Sequence, residues 1–266
     1  MGCAHGPRLC GLDATIQFVS IHGTTTELIM SVIESRLHSA KAYVFDFLGT
    51  LVEIDRDAPS MWETLNELGY HSHHHLQEIW ESDAFDGCLT PRLNGVPDYE
   101  TWRRANLEQL VRVSGVPSPL VESVLSTLLD RDGEITVRAA PSAISLIQLL
   151  RQHERKIGLC SNWDYAIQSY LDHARLPEFD GISISAEIGA RKPNAVVFSD
   201  ICSKLDVHAS EAVFIGDNWS TDIVGALRSG LVPVWIRHRS ASRGFSHLVA
   251  EFESLADFER YLRQSI

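Results

Sequence analysis

The length, composition and charge of this chain exclude several classes of protein. Its 266 residues suffice for one large domain, or for a core with a small insertion, and its 44% hydrophobic content is typical of a globular protein. A formal net charge of -12 argues against binding to nucleic acid or to an anionic membrane. The five cysteines are odd in number and widely spaced, which favours a reducing cytoplasm over a disulfide framework.

The N-terminal region precedes the first buried strand. Residues 1–23 are rich in glycine and show no hydrophobic period, which predicts a loose extension. Residues 24–39 carry apolar side chains at helical spacing and predict a helix that packs against the core. No apolar run reaches the length of a membrane helix, and the basic start and long apolar run of a signal peptide are not seen. We therefore expect a cytoplasmic protein.

Residues 42–52, AYVFDFLGTLV, predict one buried strand that runs into a tight turn. Tyr43, Val44 and Phe45 are strand formers with no charge among them, as a strand covered on both faces requires. Asp46 follows at the carboxyl end, where open α/β sheets bind their ligands. A carboxylate is costly to bury without partners, so Asp46 is the first candidate for chemistry.

The pattern becomes helical after this strand. Amphipathic helices are predicted over residues 57–70, 73–82, 97–115 and 118–130. Their apolar faces contain Trp62, Leu65 and Leu68 in the first helix, and Trp102, Leu107, Leu110 and Val111 in the third. Between residues 53 and 136 there are sixteen Asp or Glu against six Arg and no Lys, a net charge of -10. Most of the excess negative charge of the chain therefore lies in this segment.

An alternation of strands and helices resumes from residue 137. Strands are predicted over residues 156–160, 181–185, 212–215 and 232–236, and helices near 141–153, 164–173, 194–206, 220–229 and 253–263. Such an alternation predicts an α/β fold, a doubly wound parallel sheet with helices on both faces.

Four stretches, in order, resemble the motifs of the haloacid dehalogenase-like (HAD) superfamily. They are FDFLGTL at 45–51, LCSN at 159–162, EIGARKP at 187–193 and GDNWSTD at 216–222. The resemblance covers roughly residues 40 to 240. It implies a Rossmann-like α/β core over residues 24–52 and 137–266, with a helical cap domain inserted over 53–136 that selects the substrate.

The resemblance also implies a role for each motif residue. Asp46 would be the nucleophile, and it would bind Mg²⁺ together with Asp217, Asp222 and the backbone carbonyl of Leu48. Lys192 would offset negative charge on the nucleophile and on the transferred group.

Two further motif residues would contact the substrate, and each assignment has an alternative. Ser161 and the backbone amide of Asn162 would donate hydrogen bonds to a phosphoryl oxygen, whereas an ordinary turn before a helix would use the same residues. In the same way Asp46 could cap a turn, and Asp217 and Asp222 could cap the helix near residue 220. Arg103, in the cap segment, is a candidate for substrate binding.

Leu48 departs from the family pattern. Phosphatases of the family have a second Asp at this position as general acid and base, and the loss of a positioned acid or base typically costs about 10²–10⁴-fold in rate. A phosphatase of this kind would then require a substrate with a good leaving group, such as an acyl or enol phosphate. A cap group could also supply the proton, and His71, His73, His74 and His75 are the candidates.

Three other interpretations of Leu48 follow. A dehalogenase needs no acid because halide leaves without a proton, and Arg92, Arg103 or Arg104 could bind a substrate carboxylate. However, dehalogenases of the family modify the acidic motif, which is intact here. A phosphonatase needs a cap lysine, and the segment from 53 to 136 has none. A binding protein with weak or absent turnover is the non-enzymatic alternative.

The sequence therefore favours a Mg²⁺-dependent phosphatase that forms an aspartyl-phosphate on Asp46. The expected partner is a small phosphorylated metabolite, with no nucleic acid and no membrane. The metal-independent 2-haloacid dehalogenase and the binding protein are the alternatives. The identity of the substrate and the oligomeric state are left open.

Overall fold

A six-stranded parallel sheet forms the centre of the structure, a computed structural model that describes residues 24–56, 59, 61–70, 95–132, 136–238, 240 and 248–264. The strands are β1 (Ala42–Phe45), β2 (Val52–Arg56), β3 (Thr136–Ala139), β4 (Lys156–Ser161), β5 (Gly181–Ile184), β6 (Ala212–Gly216), β7 (Val232–Ile236) and β8 (Ala250–Phe252). The sheet has the order β5-β4-β1-β6-β7-β8, and every neighbouring pair is parallel. The predicted doubly wound α/β core is thus confirmed.

Helices cover both faces of this sheet. The helices are α1 (Thr24–Ser39), α2 (Met61–Glu67), α3 (Val96–Val113), α4 (Val121–Asp132), α5 (Ala143–Gln152), α6 (Ile167–His173), α7 (Ser185–Ile188), α8 (Ala195–Lys204), α9 (Val224–Arg228) and α10 (Leu255–Arg263). Short 3₁₀ turns occur at Ser118–Leu120 and Ala209–Glu211, and a π-helical turn at Trp219–Ile223.

The central strand shows why both faces are covered. Tyr43 and Phe45 pack with the apolar side chains of α1, α5, α6 and α10, whereas Ala42 and Val44 pack with those of α8 and α9. Successive side chains of a strand point to opposite faces, so a strand that is apolar at every position needs a cover on each side. β1 lies between β4 and β6 and is buried along its whole length.

The helical segment between β2 and β3 has an apolar cluster of its own. Its members come from α2, α3, α4 and the loop between α3 and α4: Trp62, Leu65, Leu107, Leu110, Val111, Val116, Val121, Val124, Leu125 and Leu128. Leu68 was predicted on the same face, but it is 41% exposed because α2 ends at Glu67. The assignment of residues 53–136 as a cap stays a prediction.

The strand and the tight turn predicted over residues 42–52 are both observed. β1 ends at Phe45, and the carbonyl of Phe47 then accepts hydrogen bonds from the amides of Thr50, Leu51 and Val52 at 3.3, 2.8 and 3.0 Å. This tight turn passes through Gly49 with φ +85° and leads into β2. β2 then pairs antiparallel with β3, a two-stranded sheet that was not predicted.

Other predictions differ at their ends or fall outside the described residues. The helix predicted over 57–70 spans only Met61–Glu67, and the one predicted near 220–229 begins as the π-helical turn. The extension 1–23, the helix 73–82, the cluster from His71 to His75 and Arg92 lie outside the described residues. Within the part of the chain that is described, no helix is both long and apolar enough to cross a membrane.

Candidate active site

Three functional side chains follow or end neighbouring strands of the sheet. Asp46 comes directly after β1, Ser161 is the last residue of β4, and Asp217 comes directly after β6. β4, β1 and β6 are adjacent and parallel, so these residues lie along one edge. The carboxyl edge of a parallel sheet is the usual ligand site of this architecture.

Lys192 lies between two carboxylates of this edge. Its Nζ atom is 2.6 Å from Asp46 Oδ1 and 2.6 Å from Asp222 Oδ1. The hydroxyl of Ser161 donates a hydrogen bond to the same Asp46 Oδ1 at 3.2 Å. The side chains of Lys192 and Asp222 are 3% and 1% exposed, so this ion-pair network is shielded from water.

The charges in this network do not balance. Asp222 and Asp46 outweigh the effect of burial on Lys192 and hold the pKa of its ammonium group above the ordinary value. Burial and the charge of Asp46 raise the pKa of Asp217 to about 6. Burial also raises the pKa of Asp222, although Lys192 lowers it in part. Three carboxylates therefore share one ammonium group in a place that disfavours negative charge.

The π-helical turn places Asp222 in the network. The amides of Asp222 and Ile223 both donate to the carbonyl of Asn218, at 3.0 and 3.3 Å. The side chain of Asn218 caps the turn by accepting hydrogen bonds from the amides of Ser220 and Thr221. Asn218, and not Asp217 or Asp222, is therefore the N-cap of this turn, while Asp222 Oδ2 accepts a hydrogen bond from the amide of Asn218 at 3.1 Å.

A glycine allows the loop after β1 to approach the loop after β6. A Cβ atom built on Gly49 would lie 2.3 Å from Asp217 Oδ2, which is far inside van der Waals contact. The φ of +85° at Gly49 is also a conformation that other residues rarely adopt. Glycine at this position therefore satisfies both the turn and the contact with the carboxylate.

The carbonyl of Leu48 is not used in the contact between this turn and β2. In the isolated parallel bridge between Leu48 and Val52, the hydrogen bonds are made by the carbonyl of Phe47 and the amide of Gly49. The carbonyl of Leu48 has no hydrogen bond among those described. It is therefore available as an oxygen ligand, while the Leu48 side chain packs against the core.

The side chain of Asn162 has a role that the sequence did not predict. Its Oδ1 atom accepts a hydrogen bond from the amide of Lys192 at 2.7 Å, and its Nδ2 atom donates to the carbonyl of Lys192 at 3.1 Å. This pair of bonds fixes the peptide backbone from which Lys192 reaches the carboxylates. Only the backbone amide of Asn162 was assigned a function from the sequence.

The three carboxylates suit a divalent cation. Asp46, Asp217 and Asp222 each offer an oxygen, and these oxygens lie within 4.8 Å of one another. Hard cations such as Mg²⁺ prefer carboxylate and carbonyl oxygens. Three ionised carboxylates and one ammonium group leave two negative charges, which a divalent cation would neutralise. The donor set therefore fits the predicted metal.

Arg103 is not among the residues that form this network. It lies on α3 with a half-buried side chain, and its assignment to substrate binding stays a prediction. Arg104, on the same helix, pairs with Glu122 of α4 at 2.5 Å. That ion pair joins α3 to α4 at the surface of the helical segment.

Comparison with known proteins identifies the class to which this site belongs. The family model of the haloacid dehalogenase-like hydrolases matches residues 40–230, more than half of the chain. The chain belongs to the haloacid dehalogenase-like hydrolase family, as its four motifs predicted.

Two curated relatives are phosphatases, and a dehalogenase is among the solved structures with a similar fold. A glyceraldehyde 3-phosphate phosphatase of Methanopyrus kandleri is 30% identical over 134 residues, 48% of this chain and 56% of that protein. A pyrimidine 5'-nucleotidase of Escherichia coli is 28% identical over 62% of this chain and 69% of that enzyme. A solved 2-haloacid dehalogenase of Pseudomonas syringae has a TM-score of 0.58 at 21% identity, over 85% of this chain and 100% of that one. The last likeness shows the fold alone.

The buried ion pairs predict a large stability cost for the loss of Lys192. Lys192→Met leaves the buried carboxylates without their cation, and we expect the free energy of unfolding to fall by about 3–5 kcal/mol in the absence of divalent metal. Urea unfolding measures the change. Lys204→Met is the matched control, because Lys204 pairs with Asp200 at 2.9 Å with its side chain 36% exposed. Its loss should cost less than about 1 kcal/mol, and equal costs for both variants would contradict the account.

Proposed function

We propose that this protein is a Mg²⁺-dependent phosphatase that acts on a small phosphorylated metabolite through an aspartyl-phosphate at Asp46. The observation that carries the proposal is the contact of Asp46 Oδ1 with both Lys192 and Ser161, beside two further carboxylates. The names of relatives at 28–30% identity, a sugar-phosphate phosphatase and a nucleotidase, support a phosphate ester as substrate. The chain spans only 56% of the length of the first of these relatives.

The proposed reaction begins at the free oxygen of Asp46. Oδ1 accepts hydrogen bonds from Lys192 and Ser161, so Oδ2 is the oxygen available to attack phosphorus. The new bond joins Asp46 Oδ2 to phosphorus, while the bond from phosphorus to the leaving oxygen breaks. Water then attacks the phosphorus of the aspartyl-phosphate, and the bond from phosphorus to Asp46 Oδ2 breaks. Inorganic phosphate leaves with the oxygen of the water, the proton of the water passes to solvent, and the carboxylate is restored.

Positive charge and hydrogen-bond donors would stabilise the transferred group. Mg²⁺, when held by Asp46, Asp217, Asp222 and the carbonyl of Leu48, would supply positive charge at the phosphoryl oxygens. Lys192 is fixed in place by the side chain of Asn162 and keeps its ammonium group close to the nucleophile. Burial strengthens these interactions, because the effective dielectric constant there is lower than in water.

The leaving group must depart without help from residue 48. The side chain of Leu48 can neither donate nor accept a proton, and it packs against the core. We therefore expect a preference for leaving groups of low pKa, such as those of acyl or aryl phosphates. The intact carboxylate cluster counts against the dehalogenase alternative, in which no metal is needed.

A substrate panel tests the proposed function. Acyl, aryl and alkyl phosphates and 2-haloacids should be assayed with Mg²⁺ and with EDTA, with Asp46→Asn as the blank. We expect release of phosphate that requires both Mg²⁺ and Asp46. Halide release that persists in EDTA would contradict the proposal and favour the dehalogenase, and a folded protein without any turnover would favour the binding protein.

A substitution at residue 48 tests the role of the missing acid. Leu48→Asp introduces a carboxyl group at the position where phosphatases of the family have their general acid, and we expect kcat/KM for alkyl phosphates to rise by about 10²-fold. Aryl phosphates should gain far less, because their leaving groups need little protonation. Leu48→Asn is the control, with a similar shape but no proton to exchange. An equal response of both variants would argue that residue 48 does not act through proton transfer.

A further inference from the structure

We infer that the carboxyl end of β7, which supplies no carboxylate, positions the metal-binding loops of the site through Trp235 and His238. This inference rests on the proposed function, because it concerns the same Mg²⁺ site. β7 lies next to β6 in the sheet, on the side away from β1. Trp235 contacts the backbone of the loop after β6, and His238 contacts the backbone of the loop after β1.

Trp235 contacts the loop that carries Asp217. Its indole Nε1 atom donates a hydrogen bond to the backbone carbonyl of Asp217 at 2.8 Å. The ring is 3% exposed and packs with Ile223 and Val249, and Trp219 meets it edge to face at 4.9 Å between ring centres. Because these contacts prevent the ring from rotating, its N–H group points at the carbonyl of Asp217. The hydrogen bond therefore holds the peptide group of Asp217 in place.

His238 contacts the loop that carries Leu48. Its Nε2 atom lies 2.7 Å from the carbonyl oxygen of Gly49, and it must carry a proton because a carbonyl can only accept. His238 follows the end of β7 by two residues and has φ +49°, in the left-handed region. The side chain is exposed, so this hydrogen bond, and not burial, orients the ring.

The two contacts set the distance between the two loops. Gly49 abuts the carboxylate of Asp217, where an added Cβ would lie 2.3 Å from Oδ2. Gly49 also follows Leu48, whose carbonyl is a proposed ligand. Trp235 of β7 therefore holds Asp217, and His238, two residues after β7, holds Gly49. Residues that orient metal ligands in this way typically contribute about 10–100-fold to metal affinity.

The test measures Mg²⁺ binding directly. Isothermal titration of the full chain with Mg²⁺ should give a dissociation constant about tenfold higher for Trp235→Phe, which keeps an aromatic ring and loses the N–H donor. Trp62→Phe is the matched control, because Trp62 is a buried indole in the helical segment. It should leave the affinity for Mg²⁺ unchanged.

Substitutions at His238 provide an independent arm, because an exposed residue can be changed without loss of the fold. His238→Met removes the donor, and we expect affinity to fall about tenfold, whereas His238→Gln keeps an N–H donor and should recover most of it. His153→Met, at another exposed histidine, is the control. The melting temperature without metal is recorded for each variant, because a structural role alone would lower that temperature and leave the affinity unaltered.

The outcomes separate this inference from the proposed function. If the wild-type chain binds Mg²⁺ and both Trp235→Phe and His238→Met bind it equally well, the inference is overturned and the proposed function stands. If the wild-type chain binds no Mg²⁺, the proposed function fails and this inference fails with it. Weaker binding in both variants, with recovery in His238→Gln, supports positioning by β7.

Discussion

The buried ammonium group of Lys192 is the constraint on which the site depends. An ammonium group and several carboxylates are expensive to remove from water, and the cost is offset only when each charge has a partner at close range. Lys192 meets this requirement with two ion pairs of 2.6 Å, to Asp46 and to Asp222. Asp217 is left beside them with a raised pKa, and this residual negative charge is what makes the cluster suited to a divalent cation.

The sheet explains how residues far apart in sequence meet around Lys192. β1 is apolar on both faces, so it is buried in the middle of the sheet, and β4 and β6 flank it in parallel. The polar residues at the carboxyl ends of these strands, Asp46, Ser161 and Asp217, therefore lie at the same edge of the sheet. The turn through Gly49 and the π-helical turn before α9 complete the cluster by bringing the loops into contact.

Much of this arrangement could be predicted from the sequence, because apolar strands and their polar ends are local patterns. The order of strand and helix after residue 137 follows from such patterns and is observed. The convergence of Asp46, Asp217 and Asp222, which the resemblance to the family implied, is observed as well. β2 was not predicted because its sequence, VEIDR, carries three charged residues. It is stabilised by pairing with β3, which is distant in the chain. β8 has only three residues, too few to form a pattern.

The supporting contacts of the site were beyond sequence reasoning for a different reason. The side chain of Asn162 bonds to the backbone of Lys192, and the indole of Trp235 bonds to the backbone of Asp217. Such bonds depend on the spatial neighbour of a loop, which no local pattern reveals. Among these contacts, only that of Gly49 could be inferred from the sequence. A glycine in a tight turn beside a predicted active-site residue indicates that another part of the chain comes close to the turn.

The most direct measurement of the central claim is a search for the phosphoryl group on Asp46. Turnover of an aryl phosphate with Mg²⁺ would be stopped with acid, and the peptide that contains Asp46 would be analysed by mass spectrometry. We predict a phosphoryl group on Asp46 that disappears as the substrate is exhausted. Steady release of phosphate by a chain whose Asp46 is never modified would contradict the account.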